Sequence, residues 1–195
     1  MLYKVIPRDK FNVFKKSLQA SHCMVYAINK GKIKLDYEEY SAKANILMQL
    51  RYDGYVGFPG GYVDEGESAE EAVIRELKEE ISTDKECFDI NSEDHIISHY
   101  SPEKNLIVHL YAKEVSLNLF SELEQCSMKG YDYGIEVMGV LRIPLYTMSD
   151  NFGGFPSFLQ NQFIGNTKEQ LCHALIARGI MTEDEVKKAL TAQDN

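Results

Sequence analysis

The chain has 195 residues and a formal net charge of −9, with 30 acidic against 21 basic side chains. That balance argues against a generic nucleic-acid coat, whose affinity comes from surplus Lys and Arg, and no apolar run is long enough to span a bilayer or to form a signal-peptide core. Cys23, Cys87, Cys126 and Cys172 are far apart with no CxxC pair, so neither disulfides nor zinc is expected, and a reducing cytosol or nucleus suits the chain.

Taken in order, residues Arg8 to Gln19 read as a helix with Phe11, Phe14 and Leu18 on one stripe. The same segment carries Lys4, Arg8, Lys10, Lys15 and Lys16 against Asp9, either the solvated face of a first helix or a small basic patch for an RNA backbone. His22 to Ile28 and Ala44 to Arg51 read as strands, and Tyr55 to Phe58 leads into a glycine turn ending at Gly61. A helix follows from Ser68, which forms a capping box with Glu71. Ile96 to His99 and Leu106 to Glu114 read as strands, Leu119 to Gln125 as a helix, and Ile135 to Pro144 as a strand. Lys168 to Arg178 and Thr182 to Leu190 close the chain as helices, the second with a capping box at Thr182 and Glu185. Elements mixed in this order predict an α/β sandwich around a mixed sheet, as one domain over residues 1–195 with its core at about 22–180.

The segment from Gly61 to Thr83, GYVDEGESAEEAVIRELKEEIST, carries the chemistry. Ala69, Ala72, Val73, Leu77 and Ile81 recur at helical spacing, which leaves Glu76, Glu79 and Glu80 able to line one side. Glu76 and Glu80 are separated by a rise of roughly 6 Å. Arg75 can pair with Glu79 at i+4, but one cation does not neutralise that set. A hard divalent cation such as Mg²⁺ or Mn²⁺ does, because it prefers carboxylate, carbonyl and water oxygens. Bridged to a pyrophosphate, it leaves water positioned for attack. A Glu/Lys-rich helix is more commonly a solvated face. Here the preceding glycine turn and the fixed spacing from Gly61 to Glu67 to Arg75 favour the metal reading.

These residues resemble the Nudix box. Gly61, Glu67, Arg75, Glu76, Leu77, Glu79 and Glu80 stand at its positions, and its later glycine and last apolar residue are Ser82 and Thr83 here. That departure bears on how the helix ends, since glycine takes the left-handed cap more readily. Further stretches narrow the resemblance: ILMQLRYDGYVGFPGGYVD, HLYAK at His109 to Lys113, GIEVMGVLRIPLYTM from Gly134, GGFPSFLQNQFIG from Gly153, and KEQL from Lys168. Together they are similar to the animal Nudix branch that decaps small nucleolar RNA and hydrolyses inosine diphosphate, over about His22 to Ile180.

The resemblance implies an α/β/α Nudix fold and hydrolysis of phosphoanhydrides in capped RNA and in purine nucleoside diphosphates such as IDP and dIDP. Its implied substrate contacts are His22, Arg51, Phe58 and Gln170. Its implied metal set is the Gly60 carbonyl, Glu76, Glu80 and His99, where a histidine tilts the ion from Mg²⁺ toward Mn²⁺ or Co²⁺. Arg75 orients the carboxylates, and the base is Glu79, Glu80 or Glu136, which the sequence does not separate. A homodimer working in nucleus (nucleolus and nucleoplasm) and cytoplasm is also implied. Two other readings stand beside it. One is a nucleotide-pool or ADP-ribose-type pyrophosphatase with little RNA activity, which the acidic charge favours. The other is a non-enzymatic Nudix adaptor, which the intact Glu76, Glu79 and Glu80 disfavour.

Overall fold

The longest apolar runs of the sequence form the centre of a mixed sheet. A computed structural model describes residues 3–14, 16–35, 37–81 and 89–192. In chain order the first half comprises β1 (Lys4–Val5), a 3-10 helix (Arg8–Phe14), β2 (Leu18–Ile28), β3 (Lys32–Leu35), β4 (Glu38–Ser41), β5 (Ala44–Arg51), β6 (Val56–Gly57), β7 (Gly60–Tyr62) and α1 (Ala69–Ile81). The second half comprises β8 (His95–Ser101), β9 (Leu106–Glu114), α2 (Leu117–Ser127), β10 (Val137–Arg142), α3 (Phe155–Phe158), α4 (Thr167–Ala177) and α5 (Glu183–Thr191).

Among the described residues the main sheet has eight strands, in the order β1-β8-β9-β2-β5-β10, with β6 on β5 and β7 on β2. β2 and β9 run parallel, with Leu18 opposite Leu106 and Tyr26 opposite Glu114. The other pairings are antiparallel. β3 and β4 make a separate hairpin.

Alternation along β2 divides two cores, because successive strand side chains point to opposite faces. Cys23, Val25 and Ala27 pack with Val73, Leu77 and Ile81 of α1 and Phe120 and Leu123 of α2. Met24 and Tyr26 pack on the other face with Phe155 and Leu159, with Leu171 and Leu175 of α4, and with Val186 and Ala189 of α5. A sheet covered on both faces explains why β5, β9 and the second half of β2 are largely apolar. The result is the α/β sandwich on a mixed sheet that the element order predicts.

β2 changes neighbour along its length. Tyr26 to Ile28 pair with β5, whereas Ala20 to His22 pair with β7. Between them the Cys23 amide donates to the carbonyl of Pro59, at 3.0 Å, in the glycine turn. The sheet therefore splays at this point and admits the turn beside β2.

Both expected capping boxes are present. The Ser68 amide donates to Glu71 Oε2 at 2.8 Å and the Glu71 amide to Ser68 Oγ at 3.2 Å, and Thr182 and Glu185 do the same for α5. The N-terminal expectation is corrected. Instead of one helix over Arg8 to Gln19, a 3-10 helix ends at Phe14 and β2 already begins at Leu18. The aromatic stripe has another use there: Phe11 packs edge-on against His95 and His109, and Phe14 lies tilted against Tyr100. The last strand also starts later than expected, at Val137, because the Asp132 carbonyl accepts from the amides of Ile135, Glu136 and Val137. Ser82, Thr83, Cys87 and Lys15 lie outside the described residues. Cys23, Cys126 and Cys172 are free thiols. Among the described residues no helix is long and apolar enough to cross a membrane.

Candidate active site

Two glycines create the close approach between α1 and the turn. Gly60 has φ +133°, and a Cβ there would lie 2.2 Å from the Ser21 carbonyl oxygen, so no other residue fits without moving β2. A Cβ on Gly61 would lie 2.5 Å from Glu76 Oε1, so the Glu76 carboxylate occupies the space above this bare backbone. The Gly60 amide donates to Glu80 Oε2 at 2.9 Å. The turn and the helix are thus joined through the carboxylates themselves.

Arg75 organises the remaining acids. Its Nε and Nη2 donate to the two oxygens of Glu67, both at 3.1 Å, in a bidentate fork. Nη1 donates to Glu76 at 2.7 Å and to Glu79 at 3.3 Å. Nη2 also reaches the Tyr62 carbonyl at 3.0 Å, and Asp64 lies 3.8 Å away. The i+4 pair with Glu79 is present but is the longest of the carboxylate contacts that Arg75 donates to. The hydrogen bond from Arg75 holds Glu67 below the usual carboxylate range.

Burial shifts the two inner carboxylates the other way. Glu80 is pushed up to about 8, chiefly by burial, with the Gly60 amide opposing and the Glu76 and Asp132 charges adding. Glu76 is raised by burial against the pull of Arg75, with Glu79 and Asp132 contributing to the rise. Two mutually repelling carboxylates, Glu80 buried and Glu76 partly buried, whose ionisation is disfavoured are a donor set that a hard divalent cation suits, since its charge favours the ionised form. Glu76 and Glu80 are suited to such an ion, and the Gly60–Gly61 backbone lies against them. His99 is not gathered with them. His99 is fully buried on β8 with Nε2 3.5 Å from Glu169 of α4, and among the described residues no three His, Cys, Asp or Glu side chains converge as a metal site.

The carboxylates open into a cavity of about 520 Å³ whose wall includes His22, Arg51, Phe58, Glu76, Glu79 and Glu136. His22 is lowered to about 4 by burial and by Arg51, so its ring is neutral near pH 7, and its Nδ1 is buried without a hydrogen-bond partner. Arg51 forks onto Asp53, Nη2 to Oδ2 at 3.0 Å, and its guanidinium lies over the Tyr52 ring at 5.4 Å. Phe58 is almost wholly packed into the core. Gln170 does not line this wall, although its neighbours Asn166 and Thr167 do. Its own Nε2 is buried without a partner, as is Asn166 Nδ2. A buried polar atom left unpaired costs free energy, so His22, Asn166 and Gln170 hold three places where a polar ligand or water would be stabilising.

Glu136 precedes β10 rather than lying in it, and its carbonyl accepts the Tyr52 amide at 2.9 Å. Asp132 was not singled out in the sequence, yet it lines the same cavity. The Asp-Tyr-Gly turn signal at Asp132–Gly134 was available, but nothing local ties that turn to α1. The link is the Tyr131 amide, which donates to the Glu79 carbonyl at 2.9 Å. A second cleft, of about 560 Å³ at Thr147, Pro156, Lys188 and Thr191, has no carboxylate among its described lining residues, so the chemistry selects the first.

Comparisons with known proteins bear on the family and the fold. Residues 19–181 match the family model described as Nudt16-like: U8 snoRNA-decapping enzyme-like. The chain is 45% identical over 155 residues to the U8 snoRNA-decapping enzyme of Homalodisca vitripennis, covering 77% of this chain and 81% of that protein. It is 36% identical over 173 residues to the Tudor-interacting repair regulator protein of Homo sapiens, covering 88% of this chain and 79% of that one. A mutT/nudix family protein from Listeria innocua is similar in structure, with a TM-score of 0.54 at 21% identity, covering 83% of this chain and 94% of that chain. That likeness concerns the fold.

Proposed function

The chain belongs to the Nudt16-like family of Nudix hydrolases, enzymes acting on pyrophosphate bonds, and from that premise we propose that it removes the cap from RNA by hydrolysing a phosphoanhydride, with IDP and dIDP as small substrates. The observation that carries the proposal is the Arg75-organised cluster of Glu67, Glu76 and Glu79, with Glu80 seated on Gly60, opening into a cavity that also holds His22 and Arg51.

In this reading Gly60, Glu76 and Glu80 hold a divalent cation, Mg²⁺ or Mn²⁺, and Co²⁺ is an alternative. When bound, such an ion neutralises charge on the leaving phosphate and makes water easier to deprotonate. Glu79 and Glu136 line the cavity, whereas Glu80 is buried beneath it, which favours one of the first two as the base and Glu80 as an ion holder. Arg75 keeps Glu76 and Glu79 in place. His22, neutral and with Nδ1 unpaired, suits a purine edge, and Gln170 supplies an amide behind Asn166. Arg51 meets a phosphate only by sharing or leaving Asp53.

The test is turnover of methylguanosine-capped RNA against IDP under matched Mg²⁺ and Mn²⁺. Cap release above background supports the proposal, and IDP turnover with none from RNA leaves a nucleotide-pool enzyme. The similarity to a Tudor-interacting relative supports a second reading, an adaptor that binds without hydrolysis. Loss of all hydrolysis in E80Q, alongside an active parent chain, excludes it. The homodimer and the nuclear, nucleolar and cytoplasmic location are proposals on the resemblance alone, tested by sedimentation and by imaging.

A further inference from the structure

Tyr3 stands where two depressions meet. It lines the reaction cavity of about 520 Å³ together with Gly165 and Asn166, and the same three residues line an adjoining groove of about 420 Å³ that runs on past Lys168, Cys172 and Leu190. The ring packs against Ala20, Leu106 and Val108, which also form part of the cavity wall. It is therefore an aromatic surface held on an apolar floor. It also lies over a bare backbone: a Cβ on Gly165, at φ +55°, would come 2.8 Å from the Tyr3 hydroxyl. A lysine lines each depression, Lys104 in the cavity and Lys168 in the groove. Among the described residues neither ammonium has an ion pair or hydrogen bond. Acids offset them, Glu103 beside Tyr3 and Glu169 in the groove.

Resting on the reading of the site as acting on capped RNA, we infer that this groove takes the unpaired nucleotides that follow the hydrolysed pyrophosphate, with Tyr3 stacking a base and Lys104 and Lys168 meeting phosphates. An aromatic face accepts any base, so the subsite favours a strand over a free nucleotide without reading its sequence. With nearby acids balancing both lysines, stacking rather than charge carries the affinity. Two phosphate contacts on a single strand give a log–log salt slope of roughly −1.4, far shallower than that of a basic RNA coat.

The experiment compares a methylguanosine-capped decamer RNA with the capped dinucleotide, using the full chain in Mg²⁺. The expected KM is lower for the decamer by about 5- to 150-fold, the range of one base–aromatic stack. Y3A removes most of that preference and raises the decamer KM more than it changes kcat. Y3F, which keeps the ring, retains the preference, and K104A together with K168A flattens the salt slope. Equal KM for the two probes in the parent chain, or a Y3A effect of the same size on both, overturns the inference. If neither probe is turned over, the decapping proposal fails by itself. The groove is then judged by fluorescence anisotropy of the same two RNAs, where equal affinity overturns it and a Y3A-sensitive preference for the decamer upholds it.

Discussion

Replacing Glu80 by Gln isolates the strain of the metal-free carboxylates. The Glu80 carboxyl has an ordinary value of 4.5 and stands at about 8 in the fold because it is buried. A raised acid binds its proton more tightly folded than unfolded. Its contribution is fully present below 4.5 and is lost as pH rises through about 8. With each pKa unit worth about 1.4 kcal/mol, the whole span corresponds to about 3–5 kcal/mol, the lower end allowing for relaxation around the buried group. Glu76 is also raised, so the two titrate as a coupled pair over a broad range. Three histidines act in the opposite sense. His22 and His95 are lowered to about 4 and His109 to about 3, chiefly by burial, so they add stability as pH rises toward their ordinary value of 6.5.

The parent curve alone therefore mixes opposing slopes, and the useful quantity is the stability of E80Q minus that of the parent, measured by thermal and urea unfolding in chelator. Between pH 6.5 and pH 8 that difference is expected to grow by about 1.5–2 kcal/mol, or about 3–8 °C in Tm for a domain of this size. Added Mg²⁺ or Mn²⁺ then closes the gap by stabilising the parent and not the variant. A difference that stays flat across this window refutes the account of Glu80 as a buried, cation-seeking carboxylate. So does an equal response of both proteins to the ion.

Three further outcomes follow from the geometry. R75K keeps the charge but not the fork onto Glu67, so kcat is expected to fall by roughly 10- to 100-fold with little change in folding; parent-like kcat would show that the fork is dispensable. G60A places a methyl against the Ser21 carbonyl at a φ of +133° and is expected to cost about 1–3 kcal/mol for the backbone conformation alone, read as a lower urea midpoint. H99Q is expected to leave the Mn²⁺ midpoint for thermal stabilisation unchanged, because His99 lies against Glu169 and not with Glu76 and Glu80. A large shift there would bring His99 back among the ligands.

What could be read from the sequence was local. β5 at Ala44–Arg51 and β9 at Leu106–Glu114 have the bounds expected of them, because a strand covered on both faces is apolar at most positions. The start of α1 and the capping box of α5 were legible because a cap is a contact between residues three apart. The β3–β4 hairpin was missed. Half the positions of KIKL and EEYS are charged, and their pairing forms outside the main sheet. The N-terminal stripe misled because Phe11 and Phe14 satisfy their spacing against rings of β8 and β9 rather than against a helical neighbour. In the site, Glu67 to Glu80 came from a single turn and helix. Asp132, the Tyr62 carbonyl and the Asp53 partner of Arg51 did not, because each meets the site through tertiary structure or as a backbone atom that no side-chain pattern reports.

The splay in β2 explains why charged and neutral halves of one site can sit side by side. α1 covers the face of Cys23, Val25 and Ala27, and brings Glu76 and Glu80 to it. Phe58 packs on the opposite face with Met24 and Tyr26. Side chains on opposite faces of an unbroken sheet are separated by its backbone and cannot share a ligand. Here β2 pairs with β7 over Ala20 to His22 and with β5 only from Tyr26 onward, so the glycine turn enters beside it. Gly60 then pairs with His22 through the backbone while its amide holds Glu80. One residue thereby touches the strand that carries the neutral histidine and the helix that carries the buried acid. A side chain at Gly60 would have to displace Ser21, so the close approach depends on the absence of a Cβ. The acids of the helix and His22 and Phe58 of the opposite face thus line one cavity beside that bare stretch of backbone.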